Sequence, residues 1–217
     1  MATVAAYIDG FNLYFGMKSK YGRRHLWLDV VEMTRLLRPA DEIVKVRYFT
    51  AIVKGEPQAA DNQYDYIEAL ATHNGSLLDV HVGRFKERPV RRCRRCGQHY
   101  LCGCQRNVRR YEEKGTDMAL GAMMVADAAL GRAEVTILIS ADTDLAPALE
   151  AVRLVAPQQR IYIALPPGNM SLSRHLLSVG PLGHFFVREA VLRDAQLPAV
   201  VFDEVTGRTL RRPEKWR

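Results

Sequence analysis

The chain's 217 residues, 48% apolar and 25% charged, are enough for one α/β domain with a decorated edge and have the composition of a globular protein with a proper core. No apolar run approaches the ~20 residues of a bilayer span, and no basic segment followed by an apolar stretch marks an export signal, so a cytoplasmic protein with no membrane partner is expected. The net charge of +7 is concentrated: residues 84–110 carry ten Arg or Lys against Glu87, a local +9, which leaves the rest of the chain near −2 and points to a polyanionic partner.

In chain order, Thr3–Asp9 reads as a buried strand ending on an acid, and Gly10–Gly16 as a loop turning into a short helix. Asp29 is placed to cap a helix through Val30, Val31, Met33, Leu36 and Leu37 that stops at Arg38-Pro39. A strand follows over 43–53. A helix over 58–73 offers two apolar stripes, Tyr64/Ile67/Ala71 and Tyr66/Leu70, before Asn74-Gly75 ends it. Residues 77–85 alternate as a third strand with Leu78, Val80 and Val82 on one side. After the cysteine-rich segment, a helix from Thr116 to about Leu130 is apolar nearly all round, its Met118, Met123 and Met124 reading as core.

The run Val135–Ile139 suits a strand buried on both faces, and it leads into Ser140-Ala141-Asp142-Thr143-Asp144. A helix over 145–155, a strand over 160–165, a helix beyond Asn169 and a short strand over 184–187 complete an alternation that predicts a mostly parallel sheet with helices on both faces. A small hairpin around Thr206-Gly207 and an anchoring Trp216 are expected in the tail. The expected layout is an α/β domain over 1–190, bearing a basic insert over 87–110, with a tail over 191–217 packed on it.

Four acids stand out. Asp9, Asp142 and Asp144 follow strands, where α/β sheets place working residues, and Asp117 opens a helix after Lys114-Gly115-Thr116. In extended chain Asp142 and Asp144 face the same way. Such a cluster suits Mg²⁺ or Mn²⁺, which prefer oxygen ligands and activate water against a phosphodiester. Asn12 is spaced to orient a ligand or water. The competing reading is structural: Thr143 or Asp144 caps the next helix, and Asp117 sits where a helix dipole favours an acid. Asp127, ten residues past Asp117, falls about 80° round and ~15 Å along the helix, outside the cluster.

All four cysteines, Cys93, Cys96, Cys102 and Cys104, fall within twelve residues, a clustering that favours a closed structural Zn²⁺ site over disulfides, with His99 as substitute ligand. That loop would present Arg91, Arg92, Arg94, Arg95, Arg106, Arg109 and Arg110, with Lys114 beside them, to phosphates, and Tyr100 and Tyr111 to bases. A solvated basic excursion is the alternative. Pro166-Pro167-Gly168-Asn169 reads as a turn, since it lacks the spacing of a phosphate-binding loop.

Three blocks carry a family resemblance: Tyr7-Ile8-Asp9-Gly10-Phe11-Asn12-Leu13-Tyr14, Glu113-Lys114-Gly115-Thr116-Asp117 and Ser140-Ala141-Asp142-Thr143-Asp144-Leu145. In order and separation they resemble the signature blocks of the NYN family, relatives of the PIN-domain ribonucleases, over roughly residues 3–190. The resemblance implies a PIN-like, three-layer (Rossmann-like) fold with strand order 3-2-1-4-5 and Mg²⁺- or Mn²⁺-dependent hydrolysis of RNA; single-stranded DNA is a second polyanion open to the basic segment. It makes Asp9, Asp117, Asp142 and Asp144 the metal carboxylates, supported by Asn12 and Ser140. Two positions depart from the family pattern: Ala141 stands where glycine is frequent, and Gly183-His184 where an acid often precedes the aromatic residue. Two alternatives stay open: an RNA-binding module that hydrolyses nothing, and a scaffold turned to NADH-dependent hydroxylation of a pyridine compound, as in nicotine breakdown. The oligomeric state is not encoded legibly.

Overall fold

The computed structural model describes residues 1–89 and 109–216, with the backbone alone for 87–89 and 109–111. Strands and helices alternate: β1 (Thr3–Asp9), α1 (Gly10–Tyr21), α2 (Val30–Leu37), β2 (Glu42–Ala51), α3 (Pro57–Asn74), β3 (Leu78–Pro89), β4 (Arg109–Lys114), α4 (Thr116–Ala129), β5 (Val135–Ile139), α5 (Ala146–Val155), β6 (Arg160–Leu165), α6 (Arg174–Ser178), β7 (Gly183–Phe186) and α7 (Glu189–Asp194). They build a mixed α/β fold around a seven-stranded sheet in the order β4-β3-β2-β1-β5-β6-β7. Every neighbouring pair is parallel except β3 and β4, which run antiparallel from Arg84↔Lys114 to Pro89↔Arg109. The sheet therefore gains an edge strand, β4, that the sequence reading had assigned in part to the basic insert. A separate hairpin, β8 (Val200–Phe202) with β9 (Thr209–Arg211), closes the tail.

Alternation along β1 sorts the core into two faces. Val4, Ala6 and Ile8 join a cluster with Leu13 of α1, Val31 and Met33 of α2, Leu70 of α3 and Trp216 of the tail. Ala5 and Tyr7 join the opposite one, with Leu120 and Met124 of α4, Leu149 of α5 and Leu176 of α6. Sheet between two helical layers is the result. The central strands are buried on both faces, which explains their unbroken apolar runs.

Several local expectations shift. α1 starts directly after β1, because the Asp9 side chain caps it by accepting from the Asn12 backbone N–H, so no loop intervenes. A Cβ on Gly10 would come 2.5 Å from the Phe49 carbonyl oxygen, so only glycine lets this helix start lie against β2. On α3 the buried stripe is Tyr66, Ala69 and Leu70, whereas Tyr64 is exposed. Met118 also faces solvent, unlike the core role expected of it, and Val82 is exposed although it shares a side of β3 with the buried Leu78. Asp29 caps α2 as anticipated, accepting from the Val31 and Glu32 amides. α7 was not foreseen; it is short and buries Leu192. No described helix is long and apolar enough to cross a membrane.

A buried ion-pair network ties β2, β3 and α4 together through the core. Arg47 on β2 donates through Nε and Nη2 to the two carboxylate oxygens of Asp127 on α4 (2.6 and 3.0 Å), and through Nη1 to Asp79 on β3. Tyr7 donates its hydroxyl to Asp127 at 2.9 Å. Burial and the neighbouring carboxylate push the Tyr7 hydroxyl far above its ordinary pKa, so it acts only as a donor. Asp127 thus belongs to the scaffold.

Candidate metal centre

Parallel pairing of β1 with β5 sets Ile8 beside Ile139, so the chain leaves both strands side by side at Asp9 and Ser140. Two hydrogen-bonded bridges then lock the exits together. Ser140 donates its hydroxyl to Asp9 (2.9 Å) and accepts from the Asp142 amide (3.0 Å). Asn12 donates its backbone N–H to Asp9 (2.9 Å), and its side-chain oxygen accepts from the Ala141 amide (3.2 Å). The two residues expected to support the acids thus contact them or the loop that carries them.

The third element arrives from the other side. β4 ends at Lys114, Gly115 takes φ +94°, and α4 begins at Thr116, which puts Asp117 in its first turn. That positive φ is the left-handed conformation glycine adopts without penalty. Glu113 fastens the turn by accepting from the Thr116 backbone N–H (2.9 Å) and hydroxyl. A carboxylate oxygen from each of Asp9, Asp117 and Asp142 lies within 4.8 Å of the others. Asp9 is buried, Asp142 half-buried, and Asp117, the most accessible of the three, is partly desolvated by the walls of an open cleft of about 430 Å³.

Asp144 falls outside this triad and is exposed. The extended-chain argument fails there because β5 ends at Ile139 and a 3₁₀ turn occupies Thr143–Leu145, so residues 142 and 144 no longer share a face. Asp142, not Thr143 or Asp144, caps that turn, accepting from the Asp144 amide at 2.9 Å. One carboxylate therefore serves both as cap and as member of the triad.

Charge is the abnormal feature. Among the described residues, no Lys, Arg or His forms an ion pair with Asp9, Asp117, Asp142 or Asp144. Burial, joined by repulsion from Asp9, Asp142, Glu113 and Asp144, pushes Asp117 up to about 6. Burial likewise raises Asp9, against the lowering effect of its hydrogen bonds from Asn12 and Ser140. Three oxygen donors without a counter-charge fit a divalent cation. Two oxygens on opposite sides of a small ion at ~2.1 Å stand ~4.2 Å apart, within the 4.8 Å that bounds the three carboxylates.

The other expected site residues divide into two groups. Lys114 ends β4 and pairs with Glu112 at 2.6 Å. Cys93, Cys96, Cys102 and Cys104, and Arg91, Arg92, Arg94, Arg95 and Arg106, lie outside the described residues, as do the side chains of Arg109 and Arg110. Sequence reasoning missed the cleft's other walls, Phe11 and Phe15 of α1 and the Pro167–Asn169 turn. Tight packing against Gly16, whose Cβ would meet the Pro167 carbonyl oxygen at 2.4 Å, brings that turn to the site.

Comparison with known proteins identifies the family and the fold. The NYN domain family profile matches residues 3–175. The 6-hydroxy-3-succinoylpyridine 3-monooxygenase of Pseudomonas putida is 25% identical, over 97% of this chain and 74% of that protein. A Vibrio parahaemolyticus protein of unknown function shares the fold, with a TM-score of 0.55 at 15% identity, covering 87% of this chain and 94% of its own.

Proposed function

Because the chain belongs to the NYN domain family, we propose that it is a divalent-metal-dependent nuclease that hydrolyses RNA at the acidic cleft. The observation that carries the reading is the convergence of Asp9, Asp117 and Asp142, with which no Lys, Arg or His forms an ion pair among the described residues. These three would hold Mg²⁺ or Mn²⁺, oxygen-preferring ions that, when bound, polarise a phosphodiester and lower the pKa of a coordinated water. Ser140 and Asn12 hold the carboxylates and the 140–142 loop in place before any ion arrives, so little reorganisation accompanies binding. Asp144 stands at the rim and adds negative potential. The arginines of the 84–110 segment, stiffened by a structural Zn²⁺ on the four cysteines, supply the grip on the RNA backbone, because guanidinium groups bind phosphate oxygens with two donors. Lys114, half-exposed beside Glu112 at the end of β4, adds a further cation three residues before Asp117.

Purified protein incubated with labelled single-stranded RNA should cleave it with Mn²⁺ or Mg²⁺ and not with EDTA. Asp142→Asn keeps the oxygen that caps the 3₁₀ turn, so the variant folds, yet it should lose cleavage. Turnover that survives the substitution would refute the assignment. Salt-dependent RNA binding without turnover in any metal would reduce the protein to a binding module.

A second reading draws on the Pseudomonas putida monooxygenase, to which nearly the whole chain aligns. In that reading the scaffold hydroxylates a pyridine compound with NADH and O₂. NADH consumption dependent on a hydroxypyridine would favour it over hydrolysis of RNA.

A further inference from the structure

Across Phe11 and Phe15 from the acidic cleft lies a second cavity of about 310 Å³, more enclosed than the first. Both rings line both spaces, so a single aromatic wall separates them. The remaining walls include Tyr48 of β2, Tyr66 of α3, Phe85 of β3 and Trp216 of the tail. Its size falls near the lower end of small-molecule sites, about 300–1,000 Å³.

The polar ends of these rings are engaged elsewhere. Tyr66 donates its hydroxyl to the Leu28 carbonyl at 2.7 Å, and the Tyr48 hydroxyl is hydrogen-bonded to Thr50. What Tyr48 and Tyr66 offer a guest is therefore their ring faces. The walls are themselves rigidly packed: Phe11 stands edge-on to Phe85 (centroids 5.9 Å apart), and Trp216 meets Tyr66 at 5.9 Å and Trp27 at 6.3 Å. Stacked and edge-to-face aromatic contacts favour planar unsaturated guests over aliphatic ones of equal area.

The rim adds a second, independent observation. Lys18, Arg23 and Lys215 all border the cavity, with Glu56 the one acid among its lining residues. None of the three cations forms an ion pair among the described residues, although Lys18 Nζ lies 5.4 Å from the Tyr14 ring centroid. An aromatic interior edged by three uncompensated cations is complementary to a ring that carries a negative charge.

We propose that this cavity binds a small planar aromatic carboxylate, its ring against the Phe11, Tyr48, Tyr66 and Trp216 walls and its carboxylate at Lys18, Arg23 and Lys215. The site uses none of the acidic residues, so it does not rest on the nuclease reading and is testable with all divalent metal removed.

The test is calorimetric titration of the full chain in EDTA with 2-naphthoate, with 2-naphthalenemethanol as uncharged counterpart and uridine monophosphate as nucleotide control. One naphthoate should bind per chain, about tenfold or more tighter than the alcohol, the size expected for one charge-assisted contact. Arg23→Gln combined with Lys215→Gln should weaken naphthoate about tenfold and leave the alcohol unchanged. Both substituted side chains are exposed and unpaired among the described residues, so folding is not at stake, and an unaltered melting temperature verifies that. Ala59→Trp, which fills the cavity from α3, should abolish binding of both aromatic compounds. No saturable naphthoate binding by the folded wild type would overturn the proposal. So would equal affinity for acid and alcohol, an unaffected double variant, or tighter binding of uridine monophosphate, which would make the cavity a nucleotide subsite.

Discussion

Lowering the pH should weaken divalent-metal binding through Asp117, and the size of the effect follows from its environment. Its carboxyl titrates near 6, because burial and the surrounding acids disfavour its charge. A metal must displace that proton, so the apparent dissociation constant grows by the factor 1 + 10^(pKa − pH). The factor is close to one at pH 7.5 and about eleven at pH 5.0, an order of magnitude from this residue alone. Asp9, also raised, acts in the same direction. Mn²⁺ titration followed by electron paramagnetic resonance at the two pH values measures the ratio.

The same shift fixes the sign of a stability effect. A carboxyl whose folded-state pKa lies above its unfolded value near 3.8 binds its proton more tightly when folded, so its contribution to stability falls as pH rises from about 4 to about 6. Asp117→Asn removes the penalty. Metal-free variant should therefore melt higher than wild type at pH 7.5 and level with it near pH 4. The helix dipole works the other way, by about 0.3–1 kcal/mol in favour of the acid, but the net upward shift means that burial and repulsion prevail. Saturating Mn²⁺ should reverse the order at pH 7.5. An affinity equal at both pH values, or a metal-free variant less stable than wild type at pH 7.5, would refute the reasoning.

Three further outcomes are expected. Arg47→Met leaves Asp127 buried without its bidentate partner and should cost about 3–5 kcal/mol in urea unfolding; a loss under about 1 kcal/mol would show the network to be ornamental. Gly115→Ala meets no steric obstacle at Cβ, so its cost is the positive φ alone, about 1–2 kcal/mol by thermal melting, and it should also weaken Mn²⁺ binding by displacing Asp117. Metal analysis should find one Zn²⁺ per chain, released in Cys96→Ser while Mn²⁺ binding at the acidic triad persists; a zinc content unchanged by that substitution would rule out the four-cysteine site.

The central strands were legible because β1 and β5 are buried on both faces and so read as continuous apolar runs. Elements that owe their form to a neighbour were not. β4, with sequence Arg-Arg-Tyr-Glu-Glu-Lys, has no strand-like apolar pattern and exists by pairing with β3. Tyr64 and Tyr66 on α3 looked equivalent, and only the docking of Trp216 and Tyr48 against one side decides which is core. At the site, Asp9, Asn12, Asp117 and Asp142 were each visible as polar residues beside strand or helix ends, and Ser140 was legible only through the family resemblance. What could not be read was that the chain turns between Asp142 and Asp144, since a 3₁₀ turn stabilised by Asp142's own side chain leaves little trace in composition. The Phe11 and Phe15 wall was hidden for a related reason: in sequence both look like ordinary core residues of a helix, yet Phe15 is largely exposed and both border the acidic cleft.

α4 carries two acids whose fates separate scaffold from site. Asp127, near its end, is fully buried, and the protein supplies everything a buried charge needs: two bonds from Arg47 and one from Tyr7. Asp117, at its start, shares its surroundings with Asp9 and Asp142, and the described residues supply no cation at all. Simple folding economy would place an arginine there, as it did ten residues later. Instead the chain spends Ser140, Asn12 and a left-handed Gly115 on holding the three carboxylates near one another. Fixing like charges in place is unfavourable unless a counter-ion arrives, because each hydrogen bond that immobilises a carboxylate also maintains the repulsion that raises its neighbour. Burial and this repulsion together push Asp117 up to about 6, and under the proposed function a divalent cation drawn from solution would relieve the repulsion.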